Sequence, residues 1–287
     1  MTRWLALAVT VVVVAAGAFA VTAWVSGGDG DDPPPPTTAA PKPLARLKII
    51  FPEGFTVAEM ADRVGAVRQI AIAKRGVTPR LTRAGYLRAV EAARAPARFR
   101  KDMKRDSMEG FLFPALYEFT QRTTARELVA DQLGAFRGRF RTVDLSYARS
   151  KNLTPYDVLI IASMIEKETA VPRERRLVSA VIYNRLRNRM PLGIDATVRY
   201  GLDIPGTESL TKQALRSNSP YNTRLRPGLP PTPIANPGLA SIRAAANPAR
   251  AVDYLYYVRK PSSKAHYFTA NETDFLRKVC EIGYACD

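Results

Sequence analysis

The sequence predicts an α+β fold in three parts: an N-terminal single transmembrane helix, a small α+β lobe, and a larger mixed α+β domain carrying an acid at the end of a core helix. Three observations predict it. An uncharged apolar run fills residues 4–25. Short β-prone runs such as Leu47–Phe51 alternate with stretches of helical periodicity. A long apolar helix pattern opens at Thr154 and closes on Glu168.

The apolar run comes first. As a helix, residues 4–25 span a hydrocarbon core of roughly 30 Å. Trp4 and Trp24 stand at its two ends, where amphipathic rings favour the membrane interface. Arg3 precedes it, and Asp29, Asp31 and Asp32 follow. The expectation is therefore a single-pass cell-membrane protein, with residues 1–3 cytoplasmic and the rest outside. A cleaved signal peptide with Ala18-Phe19-Ala20 as its processing site is the alternative. Residues 26–45 then form a Pro-rich linker that includes Pro33-Pro34-Pro35-Pro36, a composition that favours stiff, extended polyproline II.

The formal net charge is +17, from 43 Lys+Arg against 26 Asp+Glu. Export argues against a nucleic-acid partner and leaves wall polymers and anionic headgroups as the polyanions at hand. An Arg- and Ala-rich composition is an equally good source of the charge. Cys280 and Cys286 are the two cysteines, and in an oxidising compartment a small-loop disulfide between them is one of two readings. His266 is the one histidine, too few for a Cys/His zinc site. With no phosphate-binding Gly-rich loop and no G-x-S-x-G elbow, no metal and no cofactor are expected.

Residues 46–105 read as the small lobe. Leu47–Phe51 is a strand, Pro52-Glu53-Gly54 a turn, and Thr56 with Glu59 a capping box. The helix it opens is expected to run to about Val64, with Val57, Met60, Ala61 and Val64 inward and Gly65 ending it. A second helix is expected from about Thr82 to Ala95. Such a strand-turn-helix unit resembles the LysM-like module of wall-binding proteins. A plain α+β lobe that positions the next domain is the alternative.

Residues 106–287 make the larger domain. Thr154 is a good N-cap, Pro155 suits the first helical position, and Asp157 suits the positive end of the helix dipole. With Glu168 at zero on a helical wheel, Ile161 lies about 20° away, Met164 about 40° and Ile165 about 60°, while Glu166 points almost the opposite way. A carboxyl at the end of an apolar stripe is costly to ionise, so its pKa rises. That environment suits an acid that donates a proton near neutral pH. A following helix is expected from about Pro172 to Arg189, with Asn184 beside its inner stripe of Leu177, Val178, Val181, Ile182 and Leu186.

Several segments together resemble one family. Ala162-Ser163-Met164-Ile165-Glu166-Lys167-Glu168-Thr169-Ala170-Val171 is similar to the signature of the MltG (YceG-like) endolytic murein transglycosylases. Glu109-Gly110-Phe111-Leu112-Phe113-Pro114 matches upstream. Downstream come Tyr183-Asn184-Arg185-Leu186, Asp195-Ala196-Thr197-Val198, Ser219-Pro220-Tyr221-Asn222-Thr223, Ile234-Ala235-Asn236-Pro237-Gly238 and Tyr254-Leu255-Tyr256-Tyr257-Val258 with His266. The resemblance covers roughly residues 107–275. It implies cleavage between N-acetylmuramic acid and N-acetylglucosamine without water, leaving a 1,6-anhydromuramic end. It assigns Glu168 as general acid, then base. Glu109, Asn184, Asp195, Thr197, Tyr221, Asn222 and Thr223 become the cleft-lining, substrate-binding candidates. The implied partners are nascent glycan strands, the membrane through residues 4–25, and peptidoglycan synthases.

The chain departs from the family pattern at Gly193, where the family has Gln, at Ala115, where it has Asp, and at Thr232, where it has Gly. The first two remove polar groups from the cleft and keep a non-catalytic peptidoglycan-binding scaffold open as the alternative. Ser209-Leu210-Thr211-Lys212 fits the S-x-x-K pattern of penicillin-interacting enzymes, but no K-T-G or K-S-G triplet accompanies it.

Overall fold

The computed structural model describes residues 44–284. The expected transmembrane helix at 4–25 and the linker up to residue 43 lie outside the described residues. So does Cys286, and with it the expected Cys280–Cys286 pairing. Among the described residues no helix is long and apolar enough to cross a membrane.

The chain begins with strand β1 (Leu47–Ile50), then α1 (Val57–Arg75), α2 (Arg83–Glu91) and the short α3 (Ala97–Arg100). Strand β2 (Leu116–Phe119) pairs antiparallel with β1, with Leu47 opposite Phe119 and Ile50 opposite Leu116. The boundary expected at residues 105/106 thus falls between two paired strands. Residues from 44 onward form one compact unit. The mixed α+β architecture agrees with the expected fold class.

Thr56 caps α1 as expected, accepting from the Glu59 amide while Glu59 accepts from the Thr56 amide. The helix does not stop at Gly65. It continues to Arg75 and ends at Gly76, whose φ of 60° is the left-handed cap geometry. The Ala-rich stretch after Gly65 propagates well enough to absorb one interior glycine, a cost of about 1 kcal/mol. Gly65 lies against α2, near Arg83. The second expected helix is shorter than read, Arg83 to Glu91, with Thr82 as its cap.

Helices α4 (Ala125–Phe140) and α5 (Ser146–Ser150) lead to α6 (Pro155–Glu168), the centre of the molecule. Every residue from Val158 to Ile165 is buried, so this helix is enclosed on all sides rather than along one stripe. Its expected start is present: Thr154 and Asp157 form a capping box, with Pro155 at the first position. A 3-10 turn at Pro172–Glu174, with Pro172 at its first position, opens α7 (Arg175–Arg187). Then come α8 (Asp195–Leu202), α9 (Lys212–Leu215) and α10 (Leu239–Ala246), the last packed along α6. Strands β3 (Tyr256–Arg259) and β4 (His266–Thr269) form an antiparallel hairpin, followed by α11 (Glu272–Glu281).

One buried amide ties the distant segments together. Asn236 Oδ1 accepts from the amides of Gly110 (3.0 Å) and Leu112 (2.9 Å). Its Nδ2 donates to Phe55 O (3.0 Å) and Glu109 Oε1 (2.7 Å). Its backbone pairs with the same turn, Asn236 N to Phe55 O and Gly54 N to Asn236 O, both 2.9 Å. The side chain uses all four of its hydrogen-bonding sites at zero exposure. Asn236→Ala strands buried donors on Gly110 and Leu112, each costing about 1–3 kcal/mol. Urea denaturation is expected to show a loss of about 3 kcal/mol or more.

Candidate active site

Glu168 is the last residue of α6, and its carboxyl faces two elements. From β3, the Tyr257 hydroxyl donates to Oε2 at 3.2 Å, and the Arg259 guanidinium acts on it from farther off. From the first turn of α8 come the Ala196 amide, which favours the ionised form, and the Asp195 carboxylate, which opposes it. Asp195 is itself paired with Arg224, Nε to Oδ1 at 2.7 Å. Glu168 as a residue is half-buried, and protein surrounds its carboxyl. Burial is the largest influence and raises its pKa above the usual carboxylate value; Asp195 adds to the rise.

Glu166, two residues earlier, has a different neighbourhood. Its side chain is 7% exposed, and Oε2 accepts from the Gly238 amide at 2.9 Å, just before α10. Oε1 lies 3.8 Å from Arg175. One glutamate of the Glu-Lys-Glu segment therefore holds α10 in place, and the other faces Tyr257 and Asp195. The two carboxyls thus leave the helix in different directions, as their spacing predicts.

Among the residues expected to line the cleft, Asp195 faces Glu168. The remaining six make their hydrogen bonds inside the protein. Asn184 Nδ2 donates to Val252 O (3.1 Å) and Tyr254 O (3.0 Å), so it holds the segment leading into β3. It also borders a cavity of about 550 Å³ with Tyr147, Tyr183 and Arg250, whose lining does not include Glu168. Arg185 reinforces the same tie through Leu255 O at 2.6 Å. Thr197 and Thr223 share a 2.9 Å hydroxyl contact, and Thr223 Oγ1 accepts from the Ile194 amide. That pair sets where α8 begins, and hence where Asp195 stands. Asn222 ties its own loop to Leu215 O and Ser217 O. The Tyr221 hydroxyl meets Thr232 Oγ1 at 2.9 Å.

Glu109 lies in the Asn236 network. Besides Asn236, it accepts from the Val57 amide (3.2 Å to each oxygen) and the Tyr200 hydroxyl (3.3 Å). These donors favour its charge, but burial outweighs them and pushes its pKa up to about 8.

The departures from the family pattern have local accounts. Gly193 has φ of 65°, a region that costs a residue with a side chain about 1–2 kcal/mol. Thr232 is buried and supplies the partner of Tyr221. Ala115 offers its carbonyl to the Phe51 amide at 3.0 Å. In the S-x-x-K segment, Thr211 caps α9 while Ser209 and Lys212 are exposed.

The sequence does not single out Tyr257 and Arg259 as neighbours of Glu168, nor the internal ties of Asn236 and the Glu174–His266 pair. Strand alternation was the available signal for the first two, because residues two apart on β3 share a face.

The YceG-like family model matches residues 37–281, and the chain belongs to that family. It is 33% identical over 257 residues to an endolytic murein transglycosylase of Streptococcus pneumoniae, covering 83% of this chain and 44% of that protein. It is 35% identical over 166 residues to the endolytic murein transglycosylase of Bacillus subtilis, covering 58% and 45% respectively. A crystal structure of a yceG-like protein from Listeria monocytogenes superposes with a TM-score of 0.65 at 28% identity, covering 79% of this chain and 74% of that one. The chain spans less than half the length of the curated relatives it matches.

The Glu109 shift has a definite sign. The unfolded chain releases this proton near the ordinary carboxylate value of 4.5, whereas the folded protein holds it up to about 8. Between those values the folded state binds more protons, so this group's contribution makes stability fall as pH rises through the window and level off above it. Glu109→Gln is expected to flatten that component, as read from urea midpoints between pH 5 and pH 9.

Proposed function

We propose that this chain is an endolytic peptidoglycan lytic transglycosylase that cuts the bond between N-acetylmuramic acid and N-acetylglucosamine in nascent glycan strands. The observation that carries the reading is the Glu168 carboxyl: held at a helix end between β3 and α8, within hydrogen-bond reach of Tyr257, and shifted toward its protonated form by burial. The activity named for its relatives supports the same reading.

In this mechanism protonated Glu168 gives its proton to the glycosidic oxygen as the bond from that oxygen to C1 breaks. The resulting carboxylate takes the proton of the muramic 6-hydroxyl, whose oxygen bonds to C1 and closes the 1,6-anhydro ring. Glu168 ends protonated, and no water is consumed. Most glycoside hydrolases use two carboxylates. Here the substrate supplies its own nucleophile, so one acid/base group is enough. Asp195 discourages ionisation of Glu168 before substrate binds, and Arg259 together with the Ala196 amide supports the carboxylate once it forms.

The remaining organisation follows from this reading. Residues 4–25 anchor the protein in the cell membrane and residues 26–45 space it from the surface. The lobe at 46–105 is LysM-like and addresses the wall, and residues 106–287 carry the chemistry. Peptidoglycan synthases that extend the nascent strands are the expected partners, and cleavage terminates elongation.

The test is product analysis. Uncrosslinked glycan strands are incubated with the protein and examined by mass spectrometry. Anhydro-ended fragments are expected, and Glu168→Gln is expected to lower their rate of formation roughly 10²–10⁴-fold. The rate should decline as pH rises through the elevated Glu168 pKa, because the acid form is lost. Reducing-end products would sink the single-acid mechanism. No cleavage by the wild-type protein would favour a binding scaffold.

A further inference from the structure

The β3–β4 hairpin brings a second set of groups to Glu168. In its register Tyr257 stands opposite Phe268 and Arg259 opposite His266, so these four side chains share one face. Tyr257 meets His266 edge-on, with ring centroids 5.3 Å apart at 88°, and lies 5.9 Å from Phe268. His266 is buried. Its Nδ1 lies 2.8 Å from Glu174 Oε2, and its backbone amide donates to both Glu174 oxygens at 3.2 Å. Glu174 is the residue from which α7 starts, a few positions beyond Glu168 in the chain. The hairpin is thus latched to the segment that directly follows Glu168. Asn184 and Arg185 hold its entry from the other end of α7.

We propose that Tyr257 is a positioning residue for Glu168: by donating to Oε2 it leaves Oε1 to carry the acid proton, and the Glu174–His266 pair holds the tyrosine ring in place for this. The inference rests on the reading of Glu168 as acid and base. With Oε2 engaged as an acceptor, the proton of the neutral carboxyl resides on Oε1, and that oxygen delivers it to the glycosidic bond. After transfer the same phenol donates to the carboxylate while Oε1 recovers a proton from the 6-hydroxyl. Tyr257 keeps its own proton throughout, since burial and the neighbouring Glu168 hold its pKa well above that of an ordinary phenol.

The charged groups that face Glu168 are Arg259 from β3 and Asp195 from α8; Arg224 pairs with Asp195, and Arg185 lies near Tyr257. None of these changes in Tyr257→Phe, so a shifted pH profile in that variant reports the lost hydroxyl.

The experiment measures kcat and KM for anhydro-product formation across pH in the full chain. Tyr257→Phe is expected to lower kcat roughly 10–100-fold. KM should stay near the wild-type value, and the alkaline limb should move to higher pH, because the carboxylate has lost a donor. A fluorinated tyrosine at position 257, a stronger donor of the same shape, is expected to move that limb to lower pH. His266 is the one histidine in the sequence, so its imidazole resonance reports whether the hairpin is still docked. Where Tyr257→Phe displaces that resonance, the fluorinated variant alone decides. A wild-type kcat and profile in a docked Tyr257→Phe overturns the proposal, as does an unmoved limb in the fluorinated protein. Glu168→Gln separates the two levels. If it is inactive while Tyr257→Phe behaves as wild type, the acid/base reading stands and the positioning role falls. If it remains active, the acid/base reading itself falls.

Discussion

Four hydrogen bonds to one buried amide hold this fold together. Asn236 joins the turn before α1, the Gly110–Leu112 segment and the start of α10, which are far apart in sequence. Because the side chain satisfies every donor and acceptor it meets, its burial carries no orphaned group. Glu166 grips the same stretch of chain through the Gly238 amide. Helix α6 is thereby fixed against α10, and the position of its last carboxyl follows from that fixation.

Polar ties of this kind also explain the rest of the site. Its precision comes less from apolar packing than from side chains reaching across to backbone: Asn184 and Arg185 to the 252–255 segment, Thr223 to Ile194, Glu174 to His266. Each replaces a water-facing interaction with one that has a single geometry. The two flanks of Glu168, hairpin and α8, are each held by two such ties or more. Most residues expected to line the cleft make hydrogen bonds that also tie its surroundings together.

Local signals were readable in advance where the chemistry is local. The capping boxes at Thr56 and Thr154, Pro155 at a helix start, and the opposed directions of Glu166 and Glu168 all follow from spacing along a few residues. The full length of α1 was not readable from Gly65, because an interior glycine and a terminal one look alike until packing and left-handed geometry tell them apart. Tyr257 and Asn236 were present in recognisable motifs, yet their roles depend on strand pairing and on contacts more than a hundred residues away for the amide. An apolar stripe ending in a carboxyl predicts a one-sided helix, whereas α6 is enclosed on all sides. What a wheel reads as a stripe was here only the part of the surroundings that sequence makes visible.

The C-terminal helix α11 adds a different property. It covers the outer face of the hairpin through Tyr256 and Phe275, whose rings stack at 5.2 Å, but none of its residues is fully buried and Leu276 stands 55% exposed. Segments with few buried apolar contacts open at a free energy well below that of global unfolding. The protein therefore has a gradient of rigidity, with α6 at the hard end and α11 at the soft one. The hairpin lies between them, fastened on its inner face and lightly covered on its outer face. Amide protons of α11 can exchange while the inner face of the hairpin stays docked, so breathing at the end of the described chain need not disturb the geometry around the carboxyl.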